Sequence, residues 1–407
     1  MFAAAKIWSQ AAERWPLLQQ CRWIVPDILV PFAATRLMLA IVGCVAVISL
    51  PDVPLPAAAW ELNEAGDRAD IVTRLSPTTY PMHNIWIRWD AAWYHDIAKN
   101  GYSFQPGEQS NTAFFPMYPL LMKAVYPLLP RGRDVGWFRA GFIVSNAALL
   151  VGVFYLFLLV RIDFDHRTAA RTVLYLLVFP TTLFLSAVYS ESVFLAVSVA
   201  AFYHARRSQW LLAALFAAAA TITRSAGILL AAPLLLEYLA QRRFEWREIR
   251  PDIAVLLLIP VPLLLHMLYL KQRVGNVMAI SDAQAAWGGA WGKLTSPLTP
   301  AIRLMSEPLT VPSVTNLVFV AVALAVVLFA AVRLRLSYGF YAVVCFCFVT
   351  AWGTFDSVPR YILVIFPLFI ALALLGKNRA FHQAYILIAS GLAALLMVRF
   401  ALWQWVA

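Results

Sequence analysis

Charge is scarce in this chain. Only 13% of its 407 residues are Asp, Glu, Lys or Arg, while 62% are hydrophobic and mean hydropathy is +0.73. A soluble domain carries about a quarter charged residues, so a soluble chain is excluded and an all-α polytopic membrane protein is expected. Acidic residues are scarcer still, 21 against 32 basic, for a net charge of +11. No basic run with interleaved aromatics stands in a soluble segment, which argues against nucleic acid. The basic excess is assigned instead to helix ends that meet anionic membrane lipid. Also lacking are a glycine-rich phosphate loop, Gly-Lys-Ser/Thr, Gly-x-Ser-x-Gly and His-Glu-x-x-His. Nucleotide hydrolysis, serine hydrolysis and zinc proteolysis therefore have no support.

Cysteine is sparse as well. Of the four, Cys44, Cys345 and Cys347 sit in apolar runs and Cys21 lies before the first run. None falls in an expected external loop, so no disulfide framework is expected. Cys345 and Cys347 are too close for a zinc pair and have no partner pair, which leaves small apolar fillers. The first two dozen residues carry Lys6, Glu13, Arg14 and Arg22, with no short apolar core ending in a small-residue cleavage site. They do not read as a cleaved leader. Trp8, Trp15 and Trp23 recur every seven residues, a pattern for an amphipathic helix on the cytoplasmic surface. There is no internal repeat or inverted two-fold pattern, which weakens a transporter reading.

What the chain has is apolar runs near the ~20 residues that cross a bilayer. They lie at Ile28–Leu50, Phe138–Val160, Thr172–Val188, Ser192–Ala205, Trp210–Ile222, Gly227–Ala240, Ile253–Leu270, Val314–Val332, Tyr338–Trp352, Tyr361–Leu375 and Ala384–Trp403. About eleven spans in one integral-membrane domain, 1–407, are expected, several of the middle ones short. Lys and Arg cluster in alternate short connections: Arg161, Arg167 and Arg171; Arg206 and Arg207; Arg242, Arg243, Arg247 and Arg250; Arg333 and Arg335; Lys377 and Arg379. The positive-inside rule places these in the cytoplasm together with the N-terminus. Two long external segments remain, 51–137 and 271–313. Asp90, Glu191, Arg224 and Arg360 then all fall on the external face.

The chemistry-bearing residues begin in the first long loop, at Arg88-Trp89-Asp90-Ala91-Ala92-Trp93-Tyr94-His95-Asp96. Asp90 precedes a helix-compatible run, so it either caps that helix or acts as a general base toward an acceptor hydroxyl. Trp93 and Tyr94, one turn on, are expected on the same side as ring surfaces. His95 and Asp96 point elsewhere on that helix and are weaker candidates, with an internal salt bridge or a surface role as the alternative. Phe114-Phe115-Pro116-Met117-Tyr118-Pro119 carries two prolines three apart, which break regular helix; a partly embedded interfacial segment is expected. Tyr189 and Glu191 sit at a junction of two apolar runs. Glu191 is either a turn residue or a group that holds a basic partner or a substrate hydroxyl. Arg224 and Arg360 stand where a guanidinium is expensive unless partnered. Either they bind a lipid phosphate, or Arg224 forms a structural pair with Glu191. No acidic residue but Asp356 is near Arg360 in sequence, which favours Arg360 as the cleaner phosphate ligand.

These pieces in order resemble the PIG-V family, the second mannosyltransferase of GPI-anchor assembly, and its bacterial relatives. They are Arg88-Trp89-Asp90-Ala91 with Ile97-Ala98-Lys99-Asn100-Gly101-Tyr102; Ala113 to Pro119; Ser186-Ala187-Val188-Tyr189-Ser190-Glu191-Ser192; Thr223-Arg224-Ser225-Ala226-Gly227; and Pro359-Arg360-Tyr361 with Phe366-Pro367-Leu368-Phe369. The family usually has Asn where Ala226 stands. The resemblance implies a GT-C glycosyltransferase fold with amphipathic helices in the first external loop and a site on the external face of a bacterial plasma membrane. It implies a polyprenyl- or dolichyl-phosphate-mannose donor, a lipid or glycan acceptor and inversion at the anomeric carbon. Asp90 takes the position of the base. Arg224 and Arg360 are expected at the donor phosphate, and Trp89, Trp93, Tyr94, His95, Asp96, Tyr189 and Glu191 around the substrates. No cofactor and no metal are expected. Two other readings stay open: a flippase or transporter of lipid-linked sugar, for which His266 and Glu237 are the few mid-chain polar residues, and another cell-envelope transferase using a lipid-phosphate donor.

Overall fold

The computed structural model describes residues 22–50, 81–130, 133–286, 296, 298–300, 302, 311–351, 355 and 357–406. Everything regular among them is helical. The expectations for Trp8, Trp15 and Cys21, for the first part of the 51–137 loop, for most of 287–310 and for Asp356 lie outside the described residues.

A π-helical turn at Val25–Leu29 leads into α1 (Val30–Ser49). The first long loop supplies a single helical turn, Pro81–Asn84, then α2 (Ala91–Asn100) and α3 (Met117–Val125). Next come α4 (Arg133–Asp163), α5 (His166–Leu177), α6 (Glu191–Arg206) and α7 (Trp210–Thr221). They are followed by α8 (Ala231–Gln241), α9 (Val261–Val274), α10 (Ala279–Ala285), α11 (Val311–Arg333) and α12 (Leu336–Thr350). The short α13 (Val358–Ile362), α14 (Pro367–Leu375) and α15 (Arg379–Ala401) complete the set.

Among the described residues, five helices are long and apolar enough to cross a membrane: Val25–Ser49, Val135–Asp163, Pro251–Val274, Val314–Arg333 and Arg379–Ala401. Three shorter apolar ones accompany them, Trp210–Thr221, Ser225–Gln241 and Leu336–Thr350. The count of about eleven spans is not confirmed among the described residues. The run expected at Thr172–Val188 is divided between α5 and a 3₁₀ turn, Thr182–Leu185. The runs at Ser192–Ala205 and Tyr361–Leu375 become the short α6 and α14, buried over most of their surface. Helices apolar on every side belong inside a bundle as readily as in lipid, and a hydropathy window does not tell these apart.

The inner layer is α6 against α4, with α14 beside α5. Gly152 of α4 faces Ala196 of α6; a Cβ on Gly152 would lie 3.3 Å from the Ala196 Cα. The absent side chain lets the two backbones approach. Around them an aromatic cluster of Phe202, Tyr338, Tyr341 and Phe366 ties α6 to α12 and the start of α14. Trp23, expected on a surface helix, instead stacks on Phe157 of α4 with ring centroids 4.0 Å apart. Side-chain caps fix two helix starts: Asp165 accepts from the Thr168 N–H at 2.8 Å, and Asn378 from Ala380 and Phe381.

The first long loop is helical where its motif lies. α2 is buried from Ala91 through Ala98, so it is enclosed rather than amphipathic. In α3, Tyr118, Pro119 and Met122 face inward while Leu120 is exposed. The two prolines do not break that segment: Pro116 is its N-cap and Pro119 lies in its first turn, where the missing N–H is not needed.

Candidate active site

Asp90 occupies the N-cap position of α2, yet its side chain makes no capping hydrogen bond. Its carboxylate turns away and accepts from the Arg360 guanidinium, Nη1 to Oδ2 at 2.6 Å. The capping alternative is thereby set aside on geometry. The backbone just before it is unusual. Trp89 has φ +50°, a left-handed conformation rare for a bulky residue. Arg88 holds this bend: fully buried, it donates to the carbonyls of Asn84, Ile87 and Ala401 and to the Asn84 side chain. Its guanidinium lies 4.5 Å from the Trp403 ring. Trp89 itself meets Trp403 and Trp405 edge-on. The Tyr189 hydroxyl donates to the Arg88 carbonyl at 3.1 Å and accepts from the Asp90 N–H at 3.3 Å.

From Asp90 the charges alternate. Arg360 reaches Asp90 on one side, and its Nε lies 3.4 Å from Glu191 Oε1 on the other. The same Glu191 oxygen accepts from Arg224 Nη1 at 2.6 Å. Arg224 also donates to Ser190 Oγ at 3.3 Å, and Tyr94 donates to that hydroxyl at 2.8 Å. Tyr361 stands beside both arginines, its ring centroid 5.1 Å from each guanidinium carbon. Four residues far apart in sequence thus form one row: Asp90, Arg360, Glu191 and Arg224.

The row combines burial with opening at its ends. Side-chain exposure is 20% for Asp90 and 17% for Arg224, against 8% for Arg360 and 1% for Glu191. Burial alone would weaken the charge of each arginine. The adjacent Asp90 and Glu191 more than offset it, so Arg360 is held well above the usual guanidinium range and Arg224 is raised as well. Burial, with Glu191 nearby, also raises the Tyr94 phenol and keeps it a donor. One oxygen is left over: Glu191 Oε2 is buried and has no hydrogen-bond partner among the described residues.

The backbone that carries the arginines is specific. Arg224 follows the end of α7, and Gly227 folds back against it. A Cβ on Gly227 would fall 2.2 Å from the Ala220 carbonyl carbon, so no side chain fits. Ala226, where the family usually has Asn, packs against the apolar core. Arg360 rides on α13, whose N-cap Ser357 has φ +64°.

Other expected site residues fall elsewhere. Trp93 and Tyr94 are each 5% exposed. Trp93 stacks on Phe114, while Tyr94 packs against Phe114 and Tyr118. They support the row rather than present open ring faces. His95 is buried against Phe138, not at the surface. Asp96 accepts from Asn100 at 2.9 Å and Asn111 at 2.7 Å, fastening α2 to the 3₁₀ turn Asn111–Ala113. The ranking of the arginines also changes. Arg360, expected to be the less engaged, contacts two carboxylates, while Arg224 contacts one.

Residues that the sequence reading passed over complete the frame. Arg36 was hidden inside the first apolar run. It donates to Thr182 Oγ1 at 2.8 Å, to the carbonyls of Thr182 and Leu177, and to Ser186 Oγ. It thereby braces the segment that delivers Tyr189, and an arginine inside an apolar run was the signal that would have found it. Trp403, Trp405 and Ser190 carried no local signal.

Comparisons with known proteins bear on the family and the fold. Residues 69–271 match the family model described as mannosyltransferase (PIG-V). GPI mannosyltransferase 2 of Schizosaccharomyces pombe is 31% identical over 147 residues, which are 35% of this chain. That match spans only 30% of the length of the yeast protein. Among solved structures, the apo oligosaccharyltransferase of Archaeoglobus fulgidus superimposes with a TM-score of 0.50 at 12% identity, covering 92% of this chain and 56% of that one. ArnT of Cupriavidus metallidurans bound to undecaprenyl phosphate gives 0.49 at 16% identity, covering 82% and 74%. At these identities the likeness to the oligosaccharyltransferase concerns the fold alone, a GT-C-like helical membrane architecture.

Proposed function

We propose that this chain, a member of the PIG-V mannosyltransferase family, transfers mannose from a polyprenyl-phosphate-mannose donor to a hydroxyl of a lipid or glycan acceptor. The reaction inverts the anomeric carbon and takes place at the external membrane face. The observation that carries this reading is a carboxylate at a helix N-cap that declines to cap and faces an arginine instead.

The chemistry follows from the row of charges. Arg360 and Arg224 take the donor phosphate through paired hydrogen bonds. As Arg360 turns to the phosphate, Asp90 loses its partner and becomes available as a base. Asp90 then accepts the proton of the acceptor hydroxyl as that oxygen attacks the face of the sugar opposite the phosphate. The C1–O bond to phosphate breaks, and the arginines stabilise the charge that collects on the departing phosphate. Tyr189 holds the Asp90 backbone, and Arg88 holds the bend before it.

Radiolabelled polyprenyl-phosphate mannose supplied to the protein in liposomes tests this directly. The expected result is a mannosylated product. Transbilayer movement of intact donor without a product would replace the reading with a flippase. Delivery of the label to an acceptor as mannose phosphate, with release of polyprenol, would replace it with another lipid-phosphate transferase.

A further inference from the structure

The bare oxygen of Glu191 has a chemistry of its own. A carboxylate oxygen only accepts hydrogen bonds. Left buried and unpaired, it forfeits its hydration for nothing, and in a membrane protein there is less water to restore it. A purely structural carboxylate has no reason to stay so. The same protein shows the alternative at Glu237, also fully buried, whose two oxygens accept from Gln241, Arg335 and Ser337. Glu191 gathers both arginines on Oε1 and keeps Oε2 free, between residues assigned above to the phosphate. A phosphate cannot complete it, because a phosphate oxygen is another acceptor. The missing partner must be an O–H or N–H.

We propose that Glu191 reads the donor sugar: Oε2 accepts from a hydroxyl of the hexose carried on the lipid phosphate, while Arg224 and Arg360 hold the phosphate itself. The donor sugar is favoured over the acceptor because Oε1 of the same carboxylate is already shared by the two phosphate arginines, and the sugar is joined to that phosphate. This rests on the lipid-phosphate-sugar reading above and adds a specificity residue to it. It also makes Glu191 a discriminator against deoxy sugars, since sites built around a substrate hydroxyl reject analogues lacking it.

The test uses the whole protein and short-chain polyprenyl-phosphate-mannose donors, each lacking one sugar hydroxyl. In the wild type, one of these donors is expected to lose about 100-fold or more in kcat/KM. Glu191→Gln should lose a similar factor on the parent donor, and then no more than about threefold further on that deoxy donor, as coupled partners do. Uniform use of all deoxy donors by the wild type, within about tenfold, overturns the proposal. So does a Gln variant that ranks the donors as the wild type does, or a loss that follows deletion of the acceptor hydroxyl instead. If the variant does not fold, the wild-type series decides alone. A second arm measures equilibrium binding of polyprenyl-phosphate mannose against polyprenyl phosphate. Preference for the sugared lipid in a protein that transfers no mannose refutes the transfer reading and keeps the sugar site. Transfer of mannose with no such preference refutes the sugar site and keeps the transfer reading.

Discussion

Two rows of charge stand at opposite ends of α6, and their difference separates function from support. Glu191 opens the helix and Arg206 closes it, about 22 Å apart at 1.5 Å per residue. Each end has two carboxylates and two arginines. At the far end Asp163 pairs with Arg206, and Glu237 meets both Arg206 at 3.2 Å and Arg335 at 2.7 Å. That row joins α4, α6, α8 and the start of α12, with both Glu237 oxygens engaged. At the near end Asp90 is 20% exposed and Glu191 keeps a bare oxygen. A carboxylate with both oxygens satisfied rigidifies its surroundings. One with a bare oxygen, in a row with partly exposed ends, is open to a ligand. The contrast recurs between two aspartates at N-cap positions: Asp165 caps its helix and Asp90 does not.

The sharpest way to break this comparison is to neutralise one carboxylate in each row. Asp90→Asn should lower transfer by about 10³-fold, because the amide keeps the shape and cannot take the proton. Its thermal stability should change little, since Asp90 is partly exposed and Arg360 retains Glu191. Wild-type turnover in this variant would remove Asp90 from the base role. Glu237→Gln should do the reverse. Removing the charge from a fully buried partner of two arginines is expected to destabilise by about 3 kcal/mol, read as a lower melting temperature. Transfer per folded molecule and donor KM should stay unchanged. A donor KM that moves with Glu237→Gln would erase the distinction between the rows.

How much of this was legible in the sequence varies residue by residue. Asp90, Glu191, Arg224 and Arg360 stood out because ionised groups beside apolar runs are rare and expensive, so each advertises a partner. Counting spans and charges put them on one expected face; that they meet in one row is seen in the structure. The Arg224–Glu191 pair was one of the alternatives the sequence offered, and the structure has it; the partners of Arg360 did not follow. Arg360 looked unpartnered because its carboxylate lies 270 residues away, a separation that no local pattern encodes. Trp93 and Tyr94 were read from helix periodicity as ring surfaces, but periodicity gives a direction and not what waits there, which is Phe114, Tyr118 and Ser190. The membrane class was plain from composition. The number of spans was not, because the apolar runs at Thr172–Val188, Ser192–Ala205 and Tyr361–Leu375 lie largely buried in the protein interior.

A smaller effect sharpens the near row. Lys at Arg360 or at Arg224 keeps the charge and loses the two-pronged contact. Each is expected to raise donor KM by about tenfold, with kcat reduced further for Arg360→Lys, since that residue alone touches Asp90. Ala at either position should cost more than Lys in donor KM. A lower melting temperature with unchanged donor kinetics would make that arginine a structural pair with Glu191 and return it to the class of Arg206.

The smallest effect expected is none, and it concerns metal. Asp90, Asp96 and Glu191 are the acidic residues nearest the reaction in sequence, and oxygen ligands of this kind suit magnesium. Each already has a job. Asp90 is paired with Arg360, Glu191 is shared by Arg360 and Arg224, and Asp96 accepts from Asn100 and Asn111. A divalent cation entering this row would have to displace two guanidinium groups from their carboxylates. It would also bring positive charge beside positive charge at the place assigned to the phosphate. On the function proposed above, the arginines supply the electrostatic stabilisation that a single phosphate leaving group requires. Transfer should therefore run at the same rate before and after treatment with EDTA, and added magnesium or manganese should not raise it. A steep loss on chelation, restored by either ion, would reassign Asp90 and Glu191 from base and sugar reader to metal ligands, and would mean that the arginine pairs of the near row open when the ion binds.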